Sequence, residues 1–335
     1  MFRRSQVNVH VIGAGVIGLS TAVALQLKGF RVTVLAKHFP NDPLNIEYTS
    51  TWAGAVWQSL ATNAYKRQQQ FDGDTFKLFW KLARGRSDET GIMVIPAYNY
   101  YSNPTADDKE PWFKSFVPTF RVLGEGDALP QGATFGVHYT TNAMDDSVDA
   151  IINCSGMHAR TLGGVEDNAV VPTRGQNVIV LAPHIRKAIS YVSEAEDDGY
   201  YIIPRSDGTV ILGTTHEEYN MDPTVNPASV EKVLAVAQKI CPELVQKSHG
   251  TPRELEIVGH IVGVRPVRKG GPRVENEIMA SPSGKRVVVT HNYGHGSFGH
   301  MSGWGAGLYA AQLVEKGQAQ LQKEKENIIT LFSRL

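Results

Sequence analysis

Apolar positions at the head of the chain fall into two short runs separated by a segment of helical length. Val7-Asn8-Val9-His10-Val11-Ile12 predicts a short buried strand, and Arg31-Val32-Thr33-Val34-Leu35 predicts the next one. Between them, Gly13-Ala14-Gly15-Val16-Ile17-Gly18 opens an apolar helix that runs to Gly29, a residue suited to a helix C-terminus. Strand, helix and strand in this order open a doubly wound α/β sheet. From about 62 to 86, Phe71, Phe76, Phe79 and Leu82 recur at helical spacing in a polar stretch, which predicts a helix packed on one side. Two β-rich runs, 199–204 and 209–213, flank Arg205-Ser206-Asp207-Gly208 and predict a hairpin. Asn226-Pro227 caps a helix reaching Cys241, 254–267 reads as a strand, and 286–290 is a strand leading to a helix near Gly303.

Antiparallel signals in the middle, between nucleotide-binding signals at both ends, imply one domain inserted into another. The expected division is a dinucleotide-binding, Rossmann-like domain of residues 1–60, 148–181 and 285–325. An α+β substrate domain with an antiparallel sheet takes 61–147 and 182–284, and 326–335 is a tail. A chain of 335 residues is long enough for this arrangement.

Composition narrows the function classes. With 42% hydrophobic and 20% charged residues the chain has the balance of an ordinary soluble globular protein. Lys and Arg number 33 and Asp and Glu also 33, which gives no support to a nucleic-acid partner. Cys154 and Cys241 fit a reducing compartment and suggest neither a disulfide framework nor a metal site. No apolar run is long enough to cross a bilayer, and a strand beginning at Val7 leaves no room for a secretory leader. Ser333-Arg334-Leu335 is close to the Ser-Lys-Leu peroxisomal address, so a peroxisomal import receptor is an expected partner. Without that address the protein is expected in the cytoplasm.

The glycine run has a physical reason for each member. Gly13 permits the tight turn, Gly15 lets the backbone approach a pyrophosphate, and Gly18 lets helix and strand pack closely. The helix N-terminus then faces the anion. Which dinucleotide binds is left open by the next strand. NAD sites place an acid at its end, whereas Ala36-Lys37-His38 stands here, and that basic pair suits a 2′-phosphate. An NADP-dependent dehydrogenase is therefore one reading.

Several segments together resemble the D-amino-acid oxidase family, which includes D-aspartate oxidases. They are the glycine motif, Thr49-Ser50-Thr51-Trp52-Ala53-Gly54-Ala55-Val56-Trp57-Gln58, Asn153-Cys154-Ser155-Gly156 and Arg174-Gly175-Gln176. Tyr201-Ile202-Ile203-Pro204, Val262-Gly263-Val264-Arg265-Pro266-Val267-Arg268 and His291-Asn292-Tyr293-Gly294-His295-Gly296-Ser297, with Trp304-Gly305 behind it, complete the set. Gly270 to Arg273 and Pro204-Arg205 look more like fungal members than animal ones.

The resemblance implies FAD as cofactor and oxidative deamination of D-amino acids to 2-oxo acids, ammonia and hydrogen peroxide. It places at the cofactor Gly13, Ala14, Gly15, Val16, Ile17, Gly18, Lys37, His38, Thr49, Ser50, Gly54, Ala55, Val56, Ser155, Gly156 and Arg174. Gly294, His295, Gly296, Ser297, Phe298 and Gly299 form the flavin-facing loop in the same comparison. It assigns the substrate carboxylate to Arg265 and Tyr201, with Ser297, Gln58 and His216 nearby. Family chemistry uses no acid–base side chain for the C–H step, so His295 is read as part of the loop. The resemblance further implies hydride transfer from Cα–H to flavin N5, with oxygen as the final acceptor. A homodimer is a further expectation.

Two departures bear on this. His216 stands where fungal D-amino-acid oxidases tend to carry Tyr and animal aspartate oxidases Arg, which favours neutral substrates over acidic ones. Between Val137-His138-Tyr139-Thr140-Thr141 and Ala150-Ile151-Ile152-Asn153 only a few residues intervene, around Ala143-Met144-Asp145-Asp146. The family carries a helix and a strand there, on the order of 30 residues. The resemblance puts that strand in the nucleotide-binding sheet, on the adenine side. Its loss implies an open sheet edge, weakened FAD binding or an alternatively spliced chain, and so a cofactor-poor, inactive member of the family as a further reading.

Overall fold

Strands Asn8–Ile12 and Arg31–Leu35 pair in parallel, in register from Asn8 with Arg31 to Ile12 with Leu35. The computed structural model describes residues 7–54, 56–124, 126–143, 153–193, 198–245, 247–248, 251–252, 255–280 and 286–332. Its chain divides into two compact units. One comprises Met1–Pro43, Val148–Val171 and Pro266–Leu335, and the other Leu44–Ser147 and Pro172–Arg265.

In the first unit the helix Val16–Leu27 connects the two parallel strands. Its end is closed by the amides of Lys28 and Phe30 on the Leu25 carbonyl, with Gly29 in the left-handed region at φ +85°. A hairpin of Arg273–Ala280 and Arg286–Tyr293 forms the other part of this layer. Residues 153 and 154 stitch the two parts together. The Cys154 amide donates to the Ile12 carbonyl at 2.9 Å, and the Asn292 amide donates to the Asn153 carbonyl at 3.1 Å. Among the described residues, Arg31–Leu35 pairs with Asn8–Ile12 alone. The shortened connection at 144–152 lies outside the described residues.

The last helix, Gly299–Phe332, starts one turn before the expected position and continues into the expected tail as far as Phe332. Gly299, Gly303 and Gly307 recur every fourth residue and so share one helix face, laid against Val16–Leu27. A Cβ at Gly307 would lie 3.0 Å from the backbone of Ser20 and Thr21. Close packing on the neighbouring helix thus makes use of three glycines inside this one. Beyond them, helix-favouring Gln, Lys and Glu extend the helix, with Gln320 donating to Glu324 and Gln322 to Glu326 one turn apart.

The second unit is built on a large, mostly antiparallel sheet. Its strands lie in the order Glu217–Glu218, Val170–Leu181, Thr209–Gly213, Asp198–Pro204, Ala188–Ser193, Met93–Tyr101, Phe135–Ala143 and Arg121–Val122. Ile257–Arg268 also pairs with Val170–Leu181. The expected hairpin is the pair Asp198–Pro204 and Thr209–Gly213, turned by Asp207 and Gly208. Asn226 caps the helix Pro227–Ile240 by accepting from the amides of Ala228 and Ser229, a cap that contributes about 1 kcal/mol. That helix buries Val233, Val236, Ala237 and Ile240 with Val178, Val180, Ile202, Val210 and Leu212. These contacts move the unit boundaries from the expected positions. Residues 172–181 belong to the large sheet through Asn177 opposite Gly213. Residues 44–60 go the same way, since Thr49 Oγ1 donates to the Val264 carbonyl. Residues 266–284 join the first unit because their strand pairs with Arg286–Tyr293.

The amphipathic helix is Lys66–Gly85, and it buries Phe71 and Phe76 as its spacing requires. It also buries a polar residue. Asp72 is fully buried, beside an aromatic group in which Trp57 meets Phe76, Phe113 and Phe116. Ser59 Oγ lies 2.6 Å from Asp72 Oδ2, Gln68 Nε2 donates to Oδ1 at 2.8 Å, and the Trp57 indole donates to the Asp72 carbonyl. These partners are all neutral, so burial dominates and pushes the Asp72 carboxyl up to about 7. The folded state therefore binds this proton more tightly than the unfolded chain does. The stabilisation is complete below the ordinary carboxylate pKa and is lost as pH rises through about 7. Asp72→Asn mimics the protonated acid, donating to Ser59 and accepting from Gln68. The variant is expected to gain on the parent by about 1.4 kcal/mol per pH unit between the ordinary carboxylate pKa and about 7, with no further gain above that, measured by urea unfolding at several pH values. Equal pH dependence in parent and variant would refute the assignment.

Candidate active site

The candidate residues fall into one group in each unit. In the first unit, Gly13 follows the strand Asn8–Ile12 with φ +106°, and its amide donates to the Leu35 carbonyl. A Cβ there would lie 2.6 Å from the Cys154 carbonyl oxygen. Conformation and space both require glycine at this turn. Gly15 occupies the N-cap of Val16–Leu27 without a side-chain cap, so the first helical amides face outward to an anion. Ala14, Val16, Ile17 and Gly18 complete this turn, and Lys37 and His38 follow the second strand. Next to Gly13 runs Ser155-Gly156, and the Ser155 hydroxyl is buried without a hydrogen-bond partner among the described residues. An orphaned buried hydroxyl beside a cradle with no side chain fits a polar cofactor group.

The loop 294–299 is shaped by the chain beneath it. Gly294 and Gly296 lie against Arg268 and Val267, where a Cβ would come within 2.6 and 3.2 Å, respectively. Arg268 in turn pairs with Asp167 at 2.8 Å, and Asp167 accepts from the Tyr293 hydroxyl at 2.7 Å. Arg273 donates to the same hydroxyl and pairs with Glu277, which meets the buried His291. His291 reaches Asn153 from its other nitrogen. This polar chain fixes the end of the strand that feeds the loop. Within the loop His295 is 3% exposed, its Nε2 is 2.8 Å from Asn292 Oδ1, and Asn292 donates to Thr21. Burial pushes the His295 imidazole down to about 3, so it stays neutral and serves the loop as a brace. Ser297 is exposed, and Phe298 and Gly299 are half-buried.

The second unit holds the cation group. Gly213 stands between Asn177 and Tyr201 in one cross-strand row. Residues in register across adjacent strands point to the same face. A Cβ on Gly213 would lie 2.4 Å from both Asn177 Oδ1 and Tyr201 Cε2. The tyrosine ring therefore crosses the empty place, and its hydroxyl donates to Asn177 Oδ1 at 2.9 Å. Gly175, two residues before Asn177, shares that face, and a Cβ on it would fall 2.2 Å from Arg265 Nη1. The Arg265 guanidinium lies over this second gap, with Nη2 on Thr214 Oγ1 at 2.7 Å and Nη1 on the Thr215 carbonyl at 3.1 Å. The remaining donors of its five are available to a ligand. Two missing side chains thus bring Arg265 and Tyr201 onto one face of one sheet.

The other expected residues of this unit are placed less centrally. Thr49 and Ser50 lie in a short 3-10 turn held on Val264. Gly54 packs against Ile203 and Ile211, while Val56 and Gln58 are half-buried near them in sequence. Ala55 lies outside the described residues. His216 is exposed on the turn after Thr214-Thr215. Arg174, expected at the cofactor, is held by groups of the protein itself. It is 2% exposed, and it donates to Glu217 Oε1, Gln176 Oε1 and the carbonyls of Asp222 and Thr224. With those donors spent, it anchors the 217–226 segment. Asn177 and Thr214 are the residues that sequence reasoning did not single out. The signal for them was the pair of glycines beside them.

A cradle for a dinucleotide and a braced cation are the parts an oxidoreductase acting on an anionic substrate needs. The chain matches the family described as FAD dependent oxidoreductase over residues 8–110 and 121–313, and it belongs to that family. This decides the cofactor for FAD and sets the NADP-dependent reading aside. It is 32% identical to a D-amino-acid oxidase of Schizosaccharomyces pombe, over 92% of this chain and 96% of that one. It is 30% identical to a D-aspartate oxidase of Cryptococcus neoformans, again over 92% and 96%. Among solved structures, a glycine oxidase from Bacillus cereus superposes with a TM-score of 0.68 at 18% identity, covering 93% of this chain and 98% of that one.

Gly13→Ala forces a side chain into the left-handed region and onto the Cys154 carbonyl. Strain of this kind costs on the order of 1–3 kcal/mol. Titrating the apoprotein with FAD should show affinity lowered by about tenfold or more; unchanged affinity would show that this turn does not cradle the cofactor.

Proposed function

We propose that this protein oxidises D-amino acids with neutral side chains, giving 2-oxo acids, ammonia and hydrogen peroxide. The observation that carries the reading is the clamp of Arg265 and Tyr201 on one sheet face. A guanidinium held from behind by Thr214 and Thr215 keeps donors free for a carboxylate, and a phenol beside it adds a hydroxyl. The names of the two relatives, a D-amino-acid oxidase and a D-aspartate oxidase, agree with an amino-acid carboxylate. FAD, when bound, supplies the two-electron acceptor for the Cα hydrogen and, by its reoxidation with oxygen, the peroxide.

The protein's own part is to hold and orient the substrate. Fixing the carboxylate at Arg265 and Tyr201 limits the directions in which Cα–H can point, and such orientation is a large share of a barrier. His295, neutral and braced inside its loop, is not poised to take a proton. The neutral-substrate preference rests on the cations. Arg174 is committed to Glu217 and cannot serve a second carboxylate. His216, exposed on its turn, is the residue an acidic substrate would need to recruit in protonated form.

Oxygen uptake with D-alanine, D-aspartate and L-alanine, with and without added FAD, tests this directly. Turnover should be greatest with D-alanine. D-Aspartate as the better substrate would move the assignment to a D-aspartate oxidase, and turnover of L-alanine alone would overturn it. No uptake with FAD present would mark an inactive member of the family. Arg265→Lys should raise the KM for D-alanine by about tenfold or more, since a point charge replaces a planar fork.

A further inference from the structure

The face that carries the clamp has a third polar residue. Asn177 is 5% exposed, and the Tyr201 hydroxyl is the one hydrogen-bond partner of its side chain among the described residues. As oriented, the amide oxygen receives the phenol proton. In that state the phenol has no proton left to give a substrate carboxylate. A half-turn of the amide about Cβ–Cγ exchanges oxygen for nitrogen at the same place, with no other side-chain bond to break. Nδ2–H then donates to Tyr201 Oη, and the phenol O–H is released toward the ligand.

We propose that Asn177 is a positioning residue that switches Tyr201 from a self-satisfied hydroxyl to a carboxylate donor. This rests on the reading of Tyr201 and Arg265 as the carboxylate clamp. An amide is suited to the task because it both accepts and donates. In the free enzyme the phenol proton, donated to Asn177 Oδ1, serves both side chains, and in the complex the chain Nδ2–H to Oη–H to carboxylate polarises each bond through the next. Gly213 is part of the device. Its missing side chain is what allows Tyr201 to reach Asn177 across the row.

Substitution separates this role from simple packing. Asp at 177 keeps the shape but can only accept, so it retains the phenol proton and adds like charge. Leu removes the partner and leaves the phenol free to turn. Asn177→Asp should therefore be the more damaging change although it is nearly isosteric, raising the KM for D-alanine by about tenfold or more. Asn177→Leu should raise it by only about threefold, and kcat should stay within about twofold in both, because the interaction is with the carboxylate. Propionate, a carboxylate without the amine, should lose affinity in the same order when titrated calorimetrically into the FAD-loaded protein. In a Tyr201→Phe background the gap between Asp and Leu should shrink, since the phenol proton is gone.

Leu as damaging as Asp in both readouts, or effects that simply add to Tyr201→Phe, would overturn the switch and leave Asn177 a packing residue. Unchanged KM and propionate affinity in Tyr201→Phe itself would overturn the clamp reading, and the switch with it. Melting temperatures of the variants distinguish either result from misfolding, and Asn177→Gln supplies a second amide. Restoration of propionate affinity by Gln relative to Asp supports the switch, and failure of Gln in a variant that melts like the parent counts against it.

Discussion

Two side chains cannot share one place, and the second unit is organised around places deliberately left empty. Tyr201 meets Asn177 because Gly213, between them in the row, has no Cβ. Arg265 can lie flat on the sheet because Gly175 has none either. Each glycine in a strand costs roughly 0.5–1 kcal/mol in backbone entropy relative to alanine. That cost is offset by the two long polar side chains it lets rest, hydrogen-bonded, on a sheet face. The surrounding strands, Val170–Leu181 and Thr209–Gly213 among them, are almost wholly buried and supply the rigidity that keeps the gaps open.

The first unit applies the same exclusion to its helices and its loop. Gly307 brings the last helix onto the backbone of Ser20 and Thr21, and Gly294 seats the loop on Arg268. Charge then fixes what space has allowed. Asp167, Arg268, Tyr293, Arg273, Glu277 and His291 form one connected polar chain under that loop. Removing one partner from such a chain exposes the charge of the next, so the loop's shape is held cooperatively.

Much of this was legible in the sequence wherever a period or a turn residue announces the structure. The opening strand–helix–strand, the hairpin at Asp207-Gly208 and the Asn226 cap are local signals, and each forms within a residue or two of its expected place. Arg265 and Tyr201 were visible through the motifs around them. The rest depends on contacts that no local window contains. Arg174 is bound by residues 43 to 50 positions later, so a motif could not show that most of its donors were already engaged. Asn177 is an amide in an apolar strand, and only the register opposite Gly213 gives it a partner. Asp72 reads as part of a helix's polar face, yet it faces inward because Ser59 and Gln68 meet it there. The unit edges moved for a similar reason, since strand pairing decided them and composition did not.

The first unit is assembled from three separated stretches of chain, the last of which begins at Pro266. Its opening helix finds its packing face on the final helix, and Lys28 pairs with Glu315 across 287 residues. During synthesis the N-terminal strands and their helix therefore leave the ribosome long before the surface that covers them exists. Val11, Ala24 and Leu25, fully buried at the end, must wait uncovered through nearly the whole of translation. The helix that follows the Gly13 turn therefore gains its packing partner only once the last helix, Gly299–Phe332, has been made. The order of synthesis and the order of packing thus run opposite ways in this unit, because its first helix rests on its last.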